Sequence, residues 1–539
     1  MKVFNTLSRQ KEEFVPRGDV VTMYVCGINP YADAHIGHAM SYIFFDVVRR
    51  YLEFRGYKVK HVQNITDIED NIIAHANKLG VSVPELTQKY VERYDEDMVA
   101  LNILPAHVYP RAMGEIEKII EIVQGLEEKG FAYAIGGNVY FRVRNVPDYG
   151  KLSGRSLEQM RAGARIEVGE DKEDPMDFLL WKDAKPGEPS WDSPWGRGRP
   201  GWHIECSAMS IKYLGEQIDI HGGGQDLVFP HHENEIAQSE SFTGKKPFAK
   251  YWIHNGLLKM HVTDEAKMSR SLGNLITIRE ALEKYSADAI RIFILHSYYR
   301  SPLTYDEVTL EAAEAGLNRL REAAHRTSDD AWKPEMAREL YESTTGKKAG
   351  VEASAGKYRE RFISAMDDDF GTARAVNVIF DLASEVNRAI NLGYYEEQEV
   401  FKHRETFMEL TGVLGLTLKE PDTQIINTDS IGKLVTGWES VAQNLAVMQT
   451  VSDEAVRVNI GNVVGLIEKK VDSIKDQLGE NIEGTLVLAN EVIKAQIDLR
   501  DHLRVAKQFQ LADEIRDKLG ELGIALEDTP KGTVPKRKI

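Results

Sequence analysis

The sequence predicts an α/β fold: a Rossmann-like domain with a parallel sheet, interrupted by an insertion, then an α-helical bundle and a small C-terminal module. Three observations carry this. A β-prone run, Val20–Val25, breaks at Cys26-Gly27 and crosses a loop holding Pro30 and Asp33. It then enters a segment whose apolar residues Ile43, Phe44, Val47, Val48 and Leu52 recur at helical spacing. The β/α rhythm returns after Pro200, through Asp219–Gly224, and from about Ala287 the pattern is almost wholly helical.

In chain order, residues 1–130 form the first half of the sheet domain. Lys58–Val62 alternates like a strand and leads into Asn64–Asp70, and Ile116, Ile119, Ile120, Val123 and Leu126 mark a helix that stops at Lys129-Gly130. Residues 131–200 read as a connective insertion. They carry one short strand, Asn138–Val143, then Gly-, Pro- and charge-rich sequence with Trp181, Trp191 and Trp195 and little regular structure. Residues 201–286 complete the sheet. Residues 287–490 read as the bundle, with helices expected at Ala287–His296, Leu310–Ala324, Tyr358–Met366, Thr372–Leu392, Glu405–Leu414, Ile431–Thr450 and Asp453–Lys469. Its enlarged segments fall at about 327–356 and 419–490. Residues 491–539 form the terminal module, with a helix at Glu491–Leu519 and a basic, mobile tail, Lys531–Ile539.

A chain of 539 residues, 42% hydrophobic and 9% aromatic, has the composition of a globular protein with about two to four domains. No run approaches the roughly 18 apolar residues of a membrane helix, and the N-terminus MKVFNTLSRQKEEF lacks a signal peptide's apolar core. A cytoplasmic location without membrane contact is the expectation. Two cysteines, Cys26 and Cys206, exclude a disulfide framework. The net charge of −17 requires that any nucleic-acid partner be held by local basic patches.

Three constellations carry chemistry. His35-Ile36-Gly37-His38 opens a helix, and a helix N-terminus favours phosphate through its unpaired N–H groups and partial positive charge. Neither GxGxxG nor GxxxxGK[ST] occurs there, which excludes a dinucleotide fingerprint or a P-loop. In Phe229-Pro230-His231-His232-Glu233-Asn234-Glu235, His231 and Glu235 share a helix face at i, i+4. His232 reaches Glu235 at i, i+3, so spacing leaves the choice of histidine open. With the two cysteines such a pair completes a four-coordinate zinc shell; alone, it reads as a salt-bridged surface helix. Lys267-Met268-Ser269-Arg270-Ser271 sets cations and hydroxyls before a helix, which suits a polyphosphate, or, alone, a solvated turn.

Taken together, these stretches resemble a class I aminoacyl-tRNA synthetase, and their wording resembles the cysteinyl-tRNA synthetases. The shared stretches are YVCG before HIGH, NITDIED, PGWHIECSAM, DIHGGGQDLVFPHHENEIAQS, KMSRSLGN, SADAIRIFILHSYYRSPLTY, DDDFGTARAVNVIFDL and LADEIRDKLGELGIALEDTP. The match runs from Val3 to about Leu418 and from about Asp498 to Thr533. The resemblance implies ATP-dependent activation of L-cysteine to cysteinyl-adenylate and its transfer to the terminal adenosine of tRNA(Cys). The two sheet halves are then one catalytic domain. It implies one Zn2+ at Cys26, Cys206, His231 and Glu235, the family motif selecting the first histidine. It implies an ATP site from His35, His38, Gly224, Asp226, Lys267 and Arg270, with Mg2+ on the phosphates, and His35, His38, Lys267 and Arg270 as the catalytic groups. Thr66, Trp202 and His221 fall where the family lines its cysteine pocket, and the family favours a monomer.

The chemistry supports that assignment. One methylene in an apolar pocket is worth about 1–3 kcal/mol, too little to separate cysteine from serine by size. A borderline-soft ion binds thiolate well and a hydroxyl poorly, which removes the need for an editing domain. The sequence departs from the family at Arg270 for lysine, at Ile28-Asn29-Pro30 after the CG, and at Val534 where a tryptophan often follows GT. Two rivals share some features. A cysteine ligase of the mycothiol type, with an amino-sugar acceptor, would keep zinc, ATP and both signatures but lack the long helical C-terminal half. A non-catalytic tRNA-binding paralogue would have lost signature residues that stand here.

Overall fold

The computed structural model describes residues 1–163, 172–260, 276–325, 343, 354–391, 397–419, 428–445, 454–477, 482–522, 524–529 and 532–537. The chain divides into two compact units, Met1–Leu418 and Lys419–Ile539.

The first unit opens with an antiparallel hairpin, β1 (Lys2–Asn5) and β2 (Gln10–Glu13), followed by β3 (Val20–Ile28), α1 (Ile36–Phe54) and β4 (Lys58–Ile65). Helices α2 (Asp70–Leu79), α3 (Val83–Ala100) and α4 (Ile116–Glu128) come next. After them stand β5 (Ala132–Ile135), β6 (Asn138–Phe141), α5 (Leu157–Gly163), β7 (Phe178–Asp183) and β8 (Gly198–Pro200). The second half runs α6 (Trp202–Leu214), β9 (Ile218–Gly224), α7 (Glu233–Thr243), β10 (Ala249–Asn255) and β11 (Leu258–Met260). Then come α8 (Ile278–Lys284), α9 (Ala287–Leu295), β12 (Leu303–Tyr305), α10 (Glu307–His325), α11 (Ala355–Asp367), α12 (Thr372–Asn391) and α13 (Glu397–Val413).

The main sheet has the order β10–β9–β3–β4, all parallel. The chain first steps from β3 outward to β4 and later returns to β9 on the other side of β3. The order therefore reverses between β3 and β9, and in open α/β sheets ligands bind at the carboxyl ends of the strands at that point. Alternation along β3 distributes its side chains between two cores. Val21, Met23 and Val25 join a core built with α1 and with α8 to α13. Tyr24 and Cys26 join one built with α2, α4, α6, α7 and the insertion. Cys26 is thereby directed toward α6 and α7.

The insertion holds more regular structure than the sequence suggests. Strands β5–β6–β7–β8 form a four-stranded antiparallel sheet, with Trp181 and Phe141 fully buried beneath it. Its strands are three to six residues long, too short for alternation to register above the surrounding Gly and Pro.

The second unit contains α14 (Thr428–Leu445), α15 (Glu454–Gln477), α16 (Ile482–Val505), α17 (Phe509–Glu521) and an antiparallel hairpin, β13 (Ile524–Thr529) and β14 (Gly532–Arg537). Trp438, Ile467, Val492, Leu503 and Leu519 form its own core. A module boundary at 490/491 falls inside α16, and the compact division lies at Leu418 instead. The single helix expected over Glu491–Leu519 is two, separated where Lys507 takes a left-handed conformation (φ 56°). The tail expected to be mobile contributes β14, paired residue for residue with β13. The looser segment at 327–356 lies almost wholly outside the described residues.

Candidate active site and metal cluster

The carboxyl ends of β3 and β9 open into a cavity of about 660 Å3, whose wall includes Cys26, Cys206 and His231 on one side and His35, Gly37 and His38 on another. Thr66, Trp202, Gly224 and Asp226 also line it. His221 does not: it is fully buried behind the wall and hydrogen-bonds through Nε2 to Glu235 Oε2 at 2.8 Å. Lys267 and Arg270 lie outside the described residues.

His35 is the N-cap of α1, with extended backbone (φ −108°, ψ 168°). Its backbone N–H donates to His38 Nδ1 at 3.2 Å, and the two rings stack with centroids 3.8 Å apart. The first turn of α1 contains no acidic residue, so nothing there offsets the helix's positive end toward an anion.

The glycines after His221 serve different purposes. A Cβ on Gly222 would stand 2.3 Å from the Phe45 ring of α1, and one on Gly223 would meet Leu227 and His232. Those two let the helix and the histidine turn close on β9, and of the run Gly222–Gly224 only Gly224 reaches the cavity.

On the opposite wall, Cys206 sits mid-way along buried α6, and an irregular turn, Val228–His232, delivers His231 and His232 to the start of α7. Cys26, His231, His232 and Glu235 are all buried, with ligand atoms within 4.8 Å of one another. Cys26 Sγ is 3.2 Å from His232 Nε2 and 3.9 Å from Glu235 Oε1, and His231 Nε2 is 3.1 Å from the same carboxylate oxygen. Cys206 stands outside that four-residue group, on the wall of the same cavity and near enough to Cys26 and His231 to interact with both. Both histidines left open by spacing are thus at the cluster, in different surroundings. His231 leans on Cys206 and Glu235, while His232 bridges Cys26 to His254, its Nδ1 2.7 Å from His254 Nε2.

Protonation in this pocket follows from burial and close charge. Burial works against a charged His231, but Glu235 and Cys206 reverse it and push the imidazole up to about 10. Glu235 would rise on burial; His221 and His231 bring it down to about 2. A hydrogen bond from Cys26 lowers the Cys206 thiol to about 6, whereas burial pushes the Cys26 thiol up. These directions favour a thiolate and a carboxylate buried beside one imidazolium, which offsets only one of the two negative charges. Two sulfurs, imidazole nitrogen and a carboxylate oxygen are a donor set that fits a borderline-soft divalent cation, which would neutralise the same anions.

Sequence reasoning missed two supporting histidines. His203 Nδ1 lies 3.0 Å from His231 Nδ1, and His254 holds His232 from behind. The i, i+3 spacing of His203 and Cys206 on one helix was a usable signal for the first. Trp202, stacked on His231 at 4.4 Å and 27°, forms the wall beside the cluster.

Comparison with known proteins follows this geometry. Residues 13–315 match the family described as "tRNA synthetases class I (C) catalytic domain", and residues 361–419 match the DALR domain. Fold and cavity together define a class I aminoacyl-tRNA synthetase. The cysteine–tRNA ligase of Dehalococcoides mccartyi strain BAV1 is 51% identical over 100% of both chains. Those of Heliobacterium modesticaldum (99% of this chain, 98% of the relative) and Thermococcus onnurineus (100% and 99%) are each 44% identical. The chain belongs to the cysteine–tRNA ligase family. A solved structure of Mycobacterium tuberculosis methionyl-tRNA synthetase bound by methionyl-adenylate shares the fold at 15% identity, with a TM-score of 0.51 over 77% of this chain and 94% of that one.

Proposed function

We propose that the chain activates L-cysteine with ATP and transfers it to tRNA(Cys), working as a cytoplasmic monomer. One observation carries this reading: the phosphate-favouring helix start and the thiol–imidazole–carboxylate cluster open into one cavity, large enough for an aminoacyl-adenylate.

The cysteine carboxylate attacks the α-phosphate of ATP, giving cysteinyl-adenylate and pyrophosphate. The 2′-hydroxyl of the terminal adenosine then takes the acyl group. Charge grows on phosphoryl oxygens in the first step, so the residues place and stabilise rather than transfer protons. His35 and His38 donate hydrogen bonds where α1 begins. Asp226 accepts from a ribose hydroxyl beside Gly224. Lys267 and Arg270 clamp the leaving pyrophosphate, and Mg2+ bound with the ATP would neutralise part of its charge. Trp202 and Thr66 enclose the amino acid, and His221 orients Glu235 from behind. Cys26, Cys206, His231 and Glu235 would hold Zn2+, which supplies a soft Lewis acid favouring thiolate over hydroxyl. His232, bound to His254, packs against Cys26 and fixes its rotamer.

Metal analysis of wild type beside Cys206→Ala, together with cysteine-dependent ATP–pyrophosphate exchange and charging of a tRNA(Cys) transcript, tests this. The expected result is one zinc per chain, lost in the variant along with exchange. Equal exchange with serine, or wild-type exchange without charging of the transcript, would refute it; the second outcome points to another acceptor.

A further inference from the structure

The loop from Asn29 to Ala34 carries the chain from the end of β3 to His35, the N-cap of α1. Asn29, Tyr31 and His35 line the reaction cavity, and how they reach into it depends on how this loop is held. Asp33 turns instead to α3, where Arg93 grips its carboxylate through both Nε and Nη2, the latter at 3.0 Å. A guanidinium fork that meets both carboxylate oxygens fixes direction as well as distance.

From the other side the same stretch pairs with Ile276–Ile278. The Ile36 N–H donates to the Ile276 carbonyl at 3.0 Å and the Ile278 N–H to the Ala34 carbonyl at 2.9 Å, so His35 faces Thr277 in an antiparallel bridge. Thr277 caps α8, its hydroxyl accepting from the Glu280 N–H at 3.2 Å. Arg279, in the first turn of α8, then crosses to α3. Its Nη2 donates to Glu96 at 2.6 Å and to the Arg93 carbonyl at 2.9 Å, and its Nε lies 3.0 Å from the buried Asp97. Arg93, Glu96 and Asp97 stand at i, i+3 and i+4 on one face of that helix. Both supports of His35 thus end on a single turn of α3, and Arg279 holds the backbone of the residue whose side chain holds Asp33.

We propose that Asp33, Arg93 and Arg279 are positioning residues for adenylate formation: they fix His35, and with it the first turn of α1, against the α-phosphate as charge develops there. The proposal rests on the activation reading above. None of the three lines the cavity, so they act through His35 and not on substrate. Stabilisation made in the transition state shows in kcat, and a displacement of about 1 Å at such a group can cost about 100-fold. The Arg93 and Asp33 side chains are 35% and 30% exposed, so removing their contact frees the loop at little cost to the fold.

The test uses full-length Asp33→Ala, Arg93→Ala, Arg93→Lys and Arg279→Ala proteins and the Asp33→Ala/Arg93→Ala double variant, assayed by cysteine-dependent ATP–pyrophosphate exchange. In each single alanine variant kcat should fall about 10-fold or more, while KM for cysteine stays unchanged because the metal cluster is untouched. R93K should recover part of the loss, since lysine keeps the charge but not the fork. The double variant should be no slower than the slower of its singles, because both remove one contact. Hydrogen exchange over residues 29–38 should quicken in the same variants. Unaltered kcat in any single alanine variant would overturn the proposal. So would losses that multiply in the double variant, or a cysteine KM that rises while kcat holds, which would mark a loosened pocket instead. A wild-type chain without cysteine-dependent exchange removes the activation reading itself, and the proposal with it.

Discussion

The helix that presents His35 and His38 is tied to the rest of its unit by one fully buried ion pair, and breaking that pair makes the sharpest physical prediction. Arg291 Nη2 is 2.5 Å from Asp46 Oδ2, and both side chains are 0% exposed. Arg291 also donates to the carbonyls of Leu101 at 2.9 Å, Asn102 at 3.3 Å and Leu414 at 3.0 Å. In Arg291→Leu, Asp46 keeps Arg50 at 2.8 Å and the Leu104 N–H at 3.0 Å, and the Asn102 carbonyl keeps Arg50. The carbonyls of Leu101 and Leu414 lose this donor, at about 1–3 kcal/mol each, giving a loss near 3 kcal/mol. Asp46→Asn preserves shape but leaves a buried guanidinium without its counter-charge, at about 3–5 kcal/mol. In the double variant the stranded charge disappears, so its loss should fall short of the sum by at least about 2 kcal/mol. Hydrogen exchange on peptides spanning 36–54 measures this locally, without assuming that both units unfold together. Single-variant effects below about 1 kcal/mol, or strict additivity, would refute the reasoning.

Three further outcomes follow from the same geometry. Glu233→Gln leaves one carbonyl oxygen facing three N–H donors, so residues 149–155 should exchange faster, the local opening made easier by about 2 kcal/mol; unchanged exchange over that segment would contradict this. Gly222→Ala drives a methyl to 2.3 Å from the Phe45 ring and should destabilise the first unit by about 1–3 kcal/mol, visible as a lowered melting temperature. His61 is held down from 6.5 to about 3 by burial, then by Arg49 and His107. The unfolded chain therefore gains a proton that the fold refuses, and stability present above about pH 6.5 is lost as pH falls toward 3. Between pH 7 and 5 the loss from this residue is about 2 kcal/mol. The stability of His61→Leu should lack that share of the pH dependence in urea titrations at the two pH values.

The sheet was legible because its strands are long and punctuated. Val20–Ile28 and Ile218–Gly224 each end in chemistry-bearing residues that local pattern could mark. The insertion's sheet was not, since a three-residue strand such as Gly198–Pro200 has no period to read. The second unit's start was misplaced because α16 runs uninterrupted through Glu491, whereas the change in packing comes earlier, at Lys419. Within the site, spacing left His231 and His232 open beside Glu235 and the family resemblance alone selected His231 with Cys26 and Cys206, whereas the fold gathers both histidines with Cys26 and Glu235. Pattern could not show that His221 supports Glu235 from outside the cavity, or that His254 backs His232, because one contact joins a strand to α7 and the other a strand to the turn before it.

That convergence depends on register more than on composition. Met23, Tyr24 and Val25 pair with Ile220, His221 and Gly222 across β3 and β9, and alternation sends Tyr24 and Cys26 to the face that α6 and α7 cover. A slip of one residue in β3 would exchange its faces, burying Val25 toward α6 and turning Cys26 toward α1. The hydrophobic cost would be modest, since valine, methionine and tyrosine suit either core. Cys206 would nonetheless lose the neighbouring thiol that lowers its own, and the group with His231 and Glu235 would be one sulfur short. The cluster therefore selects the register: only one alignment of this apolar strand places a thiol beside His231, His232 and Glu235.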